Sequence, residues 1–154
     1  MKIQTLIILS LLFVVSCKCN KINQNNAEME IVETVLISKG NLYGSGSEGI
    51  AKQNTVIENL SDWERLINQM NSVNNVSEGF TETKIDFSKY AIIAVFNDAK
   101  GSGGHTIELD ISKTSEKTLV TVKYTSPKGN ATTVMTQPYY IAKISKQDLP
   151  IVFQ

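Results

Sequence analysis

Ala91-Ile92-Ile93-Ala94-Val95-Phe96 is the stretch that decides the fold. It is followed by Asn97-Asp98-Ala99-Lys100-Gly101-Ser102-Gly103-Gly104-His105 and then by Thr106-Ile107-Glu108-Leu109-Asp110-Ile111. Six consecutive apolar residues cannot turn alternate side chains to water, so residues 91–96 predict a strand at the centre of a sheet, covered on both faces. The second strand alternates strictly. Ile107, Leu109 and Ile111 fall on one face and Thr106, Glu108, Asp110 and Ser112 on the other, the pattern of a strand with one solvated side. Between them lies a glycine-rich turn whose exit carries the chain's only histidine, His105.

Upstream of this core, Ile31–Ser38 is β-branched and predicts a first strand, and Ile50–Glu58 predicts another. The segment between them contains Gly44, Gly46 and Gly49, which match G-x-G-x-x-G letter for letter. That fingerprint has mechanical meaning only where a strand passes into a helix, and here a strand follows, so it reads as a turn. Asp62–Asn71 is the one clear helix. Ser61 with Glu64 has capping-box spacing, and Trp63, Leu66, Ile67 and Met70 line one face at i, i+3, i+4 and i+7. The only tryptophan therefore reads as a core anchor. Downstream, Lys117–Thr125 alternates as a strand, Ser126-Pro127-Lys128-Gly129-Asn130 is a turn, Thr132–Thr136 and Pro138–Ser145 predict a pair of strands, and Ile151–Phe153 a short edge piece. With about seven strands to one helix, the expected class is α+β: a mainly antiparallel sheet, barrel- or sandwich-like, with the helix packed on it.

The amino terminus gives an address. Lys2 precedes an apolar stretch from Ile3 to Val15 that is too short to span a bilayer, and Val14-Val15-Ser16-Cys17 has the form of a bacterial lipobox. The expected organisation is a lipoprotein signal peptide over 1–16, a lipid-bearing Cys17 with a flexible polar tether over 17–30, and a single domain over 31–154. Acyl chains bury methylenes at about 0.8 kcal/mol each, so two or three of them hold the protein on the membrane of the bacterial cell envelope, at the outer membrane or cell surface. Cys19 is the only other thiol and reads as a tether residue.

Composition excludes some partners and chemistries. The 154 residues carry 15 basic and 15 acidic side chains, dispersed along the chain, which argues against nucleic acid. With one histidine and one spare cysteine, neither a Cys/His pair nor a His-rich zinc site can be assembled, and calcium loops are absent. Glu108 and Asp110 share a strand face, as carboxylates on an ordinary outer surface also do. The expectation is a non-catalytic protein with no cofactor and no metal.

The carboxyl-terminal half resembles the C-terminal domain of the PrcB family, named after a lipoprotein subunit of a protease complex. The resemblance covers residues 85–145 and rests on Ile85-Asp86-Phe87-Ser88-Lys89, the apolar run after it, Gly101-Ser102-Gly103-Gly104-His105-Thr106-Ile107, and Gln137-Pro138-Tyr139-Tyr140-Ile141-Ala142-Lys143-Ile144. His105 stands where the family has an aromatic residue. The resemblance implies an accessory role in assembling or stabilising an envelope protease. Gly101, Gly103, Gly104, His105, Pro138 and Tyr139 are the candidate protein-binding residues, although the glycines equally suit a tight hairpin between the two strands. Of Tyr139 and Tyr140, which point to opposite faces, one is expected in the core and the other exposed. A peptidase inhibitor of chagasin-like type and a ligand-binding or structural envelope lipoprotein are the alternatives, the last favoured by a deep apolar pocket between helix and sheet.

Overall fold

The computed structural model describes residues 29–154. The expected signal peptide, Cys17, Cys19 and nearly all of the tether lie outside the described residues. Eight strands and one α-helix form three layers. Strands β1 (Glu30–Ile31), β5 (Thr106–Lys113), β6 (Thr118–Thr125) and β8 (Ile151–Phe153) make one sheet in the order β1-β5-β6-β8. Strands β2 (Thr34–Leu42), β3 (Gln53–Ile57), β4 (Tyr90–Phe96) and β7 (Gln137–Ser145) make the second in the order β2-β7-β4-β3. All pairings are antiparallel except β6 with β8. The α+β class is as expected, with two sheets packed as a sandwich and no closed barrel.

The apolar run behaves as its composition requires. β4 lies between β7 and β3, and every residue from Ala91 to Phe96 is fully buried. Its alternate side chains serve two cores. Ile92, Ala94 and Phe96 face the helix together with Ile37, Leu42, Ile57 and Ile141. Ala91, Ile93 and Val95 face the other sheet with Ile107, Ile111, Val120 and Ile144. Each fully buried large aliphatic side chain in these layers contributes ~1.5–3 kcal/mol relative to exposure.

Helix α1 (Leu60–Met70) buries Trp63, Leu66 and Met70, with Ile67 half-buried, against the first of these cores. Trp63 is an anchor as expected. Its ring stacks on Phe80 at 6.0 Å and its indole N–H donates to the Thr83 carbonyl at 2.8 Å. The start of the helix differs from the Ser61–Glu64 expectation. Asn59 is the N-cap, its side-chain oxygen accepting from the Asp62 N–H at 2.9 Å while its amide donates to the Asp62 carboxylate at 2.8 Å. The same reciprocal logic operates two residues earlier, because the helix starts early enough for Trp63 to complete its first turn on the sheet. No helix among the described residues is long and apolar enough to cross a membrane.

Three other expectations are corrected. The first predicted strand, residues 31–38, is two strands in different sheets, separated at Val32-Glu33, and the second of them runs on to Leu42. Thr132–Thr136 is not a strand. Only Thr136 pairs, in a single bridge with Lys100, and Val134 and Met135 stay exposed. The glycine turn is no hairpin, since β4 and β5 belong to different sheets and the segment crosses between layers. As expected, the G-x-G-x-x-G match is a turn, linking β2 to β3 across the end of one sheet. Gly44 donates its N–H to the buried Glu48 carboxylate at 2.9 Å, and a Cβ on it would meet that carboxylate at 2.4 Å.

The cap assignment is directly testable. Asn59→Ala should lower unfolding stability by about 1 kcal/mol, whereas Ser61→Ala should change it by no more than a few tenths, both read from urea denaturation midpoints.

Candidate functional site

The segment after β4 is held to the start of β7 and to the irregular stretch before it. The Asn97 N–H donates to the Pro138 carbonyl at 3.0 Å, and Lys100 and Thr136 exchange main-chain bonds of 2.7 and 2.9 Å. The Thr136 hydroxyl donates to the Ser102 carbonyl at 3.0 Å, and the Gly103 N–H donates to the Thr132 carbonyl at 3.0 Å. Gly103 is buried where a Cβ would lie 2.4 Å from the Thr132 hydroxyl oxygen. Gly104 has φ of +82° and sits against Pro127, where a Cβ would approach to 3.1 Å. Among the loop glycines only Gly104 uses the left-handed region. Gly101 is exposed with nothing near it. Gly103 and Gly104 thus serve a close approach to residues 127–134.

His105 closes the turn, its Nε2 3.0 Å from the Ser102 hydroxyl. It also lines a cleft of about 240 Å³ together with Tyr139, Lys39, Gly40, Asn41 and Ile107. Of the six candidate residues, the structure brings His105 and Tyr139 into one site, and it leaves Gly101, Gly103, Gly104 and the buried Pro138 outside the lining. The two tyrosines correct the earlier expectation. Both are buried, because both faces of β7 are covered. The Tyr139 ring lies over Gly40, in van der Waals reach of the position a Cβ would take, and its hydroxyl pairs with the Ser38 hydroxyl at 2.9 Å.

Across the mouth, the Lys39 ammonium donates to Glu108 at 2.8 Å and sits 5.7 Å from the centre of the Tyr140 ring. The hydrogen bond it donates to Glu108 raises the Lys39 pKa above its ordinary value. Burial pushes the Tyr140 phenol up, and the nearby Lys39 charge opposes part of that shift. Asp110, the other carboxylate on this strand face, pairs with Lys123. Among the described residues no group of three His, Cys, Asp or Glu is placed to hold a metal ion.

The walls of the cleft are the free margins of two strands. Main-chain groups alternate in direction along an antiparallel strand. Because the Pro138 carbonyl serves Asn97 on the β4 side, its opposite number Asn41 turns its N–H and C=O away from β7, and so does Lys39. The Thr81 N–H takes the next outward group, the Ile37 carbonyl, at 3.1 Å. On β5, Ile111 accepts from the Val32 N–H, so Ile107 and Leu109 also point away from β6, toward the side that two-residue β1 leaves open. Lys39, Asn41, Ile107 and Leu109 make no outward main-chain bond among the described residues. The Asn41 side-chain oxygen is buried there without a partner. Sequence reasoning missed Lys39, Gly40 and Asn41, which read as the start of a turn. The usable signal was Leu42, an apolar residue closing the polar stretch.

A cavity of about 180 Å³ at the helix–sheet junction is lined by Gln53, Thr55, Asp62, Arg65 and Gln69 among others, which is not the deep apolar pocket a greasy ligand requires. Comparison with family models, with curated proteins and with solved structures finds no match for this chain.

Two substitutions test the geometry. Gly104→Ala should cost more than 1 kcal/mol, from a strained φ and contact with Pro127, while Gly101→Ala should be close to neutral in the same chemical denaturation. The stabilisation from a phenol whose folded pKa is raised is complete below the ordinary value near ~10 and is lost as pH rises through the folded pKa. Thermal melts from pH ~9 to ~11.5 should therefore show a smaller alkaline decline for Tyr140→Phe than for the parent protein.

Proposed function

We propose that this protein is a lipid-anchored, non-catalytic module of the bacterial cell envelope that binds a partner polypeptide in the cleft between β2 and β5. The observation that carries the reading is the cleft itself: two strand margins with unengaged main-chain groups face one cavity, which also holds His105 and Tyr139. Water satisfies such groups in the free state, and a polypeptide replaces it without loss of hydrogen bonds while covering apolar surface. The lipobox ending at Cys17 supports a membrane address, and the polar residues up to Met29 supply a tether. Twelve extended residues reach at most ~40 Å, so the cleft works close to the bilayer, on partners that are themselves envelope components.

The resemblance over residues 85–145 supports a narrower version in which the partner is an envelope protease and the module assembles or stabilises its complex. Two further features agree with a binding role. The cleft mouth offers one cation and one anion, Lys39 and Glu108, at exposed positions where re-pairing with a partner costs little. The glycine turn that positions His105 is clamped by residues 127–136, so the site sits on a fixed frame.

Site-specific photo-crosslinking in intact cells tests the reading. A crosslinking residue at Asn41 should give a defined higher-mass adduct, and one at Glu116, in the β5–β6 turn, should not. Equal labelling from both positions, or none from Asn41, would overturn it. Cys17→Ser should move the protein from the membrane fraction to the soluble fraction, and unchanged retention would refute lipidation there.

A further inference from the structure

The geometry points to strand addition as the way the cleft takes its partner: an extended segment pairs antiparallel with the open part of β5 and lies beside β2. This inference rests on the binding role proposed above and specifies the recognised chemistry, an extended main chain. On β5 the outward groups of Ile107 and Leu109 repeat every second residue, about 6.8 Å apart, the spacing another strand presents. Lys39 and Asn41 offer the same repeat on β2, and they line the cleft together with Ile107. Rows of alternating N–H and C=O are matched by a polypeptide in extended form and poorly by a small molecule.

Direction follows from β1. Glu30 and Ile31 already pair antiparallel with Lys113 and Ser112, on the same margin of β5, before the chain leaves for the other sheet. The incoming segment continues that line over Leu109 to Ile107, antiparallel to β5. Gly40, which carries no side chain over the Tyr139 ring, keeps the β2 wall low.

Amide hydrogen exchange, read by NMR on the Cys17→Ser chain, tests the inference. The probe is a blocked hexapeptide of alternating Thr and Val at about 1 mM, with the same peptide N-methylated at alternate residues as its partner. The unmodified probe should slow exchange at Ile107 and Leu109 by about tenfold or more. It should leave Glu108 and Asp110, which already bond to β6, unchanged, and the N-methylated peptide should have no such effect. If signals of His105 and Tyr139 move while Ile107 and Leu109 exchange as before, strand addition is wrong and binding at the cleft survives. If the probe changes nothing in the cleft, both fall. Protection present before any probe is added overturns the inference in favour of another occupant: a second copy if it grows with protein concentration, the tether if it vanishes when residues 18–28 are deleted.

Discussion

The pairing of β4 with β7 is the constraint on which the rest of the molecule depends. Seven residues of one strand are matched in unbroken register to seven of the other, from Tyr90 opposite Ser145 to Phe96 opposite Tyr139. Both faces of the pair are covered, so it has nowhere to turn a polar side chain along most of its length. A helix must close one side and a second sheet the other. Trp63, Leu66 and Met70 meet the first requirement, and Ile107, Ile111 and Val120 the second. The glycine turn after β4 is the consequence. A chain leaving the central layer for the outer one must turn sharply in little space, and it does so pressed against Pro127 and Thr132.

Much of this was legible in the sequence because it rests on periodicity. The unbroken run at 91–96, the alternation at 106–112 and the i, i+3, i+4, i+7 face of the helix each follow from burial on two sides, one side or one stripe. What was not legible depends on partners distant in the chain. Ile31–Ser38 looks like one strand, since nothing local says that β1 joins β5 while β2 joins β7. Ile37 and Leu42 are five residues apart, which in a regular strand places them on opposite faces, yet both pack in the same core. The register shift between Leu36 and Ser38 reconciles them, and no residue there signals a bulge. Thr132–Thr136 has strand composition, but the Gly103 and Ser102 main chain takes its hydrogen bonds singly.

The candidate site was half legible for the same reason. His105 and Tyr139 drew notice as a lone histidine and a Pro-aromatic pair, and they do meet. Lys39, Gly40 and Asn41 drew none, because their importance lies in the direction of their main-chain groups, which any residue type can supply. At Gly103 and Gly104 the missing side chain makes room for another part of the same chain.

The sheet β1-β5-β6-β8 takes both of its outer strands from opposite ends of the described chain. Residues 30 and 31 flank β5, and residues 151–153 flank β6, where the Gln154 N–H bonds the Val120 carbonyl and the Gln154 carbonyl accepts from Val122. A polypeptide delivered amino end first therefore has no complete outer layer until Phe153 arrives. Until then the apolar side of β4 and β7 that faces this layer is only partly screened.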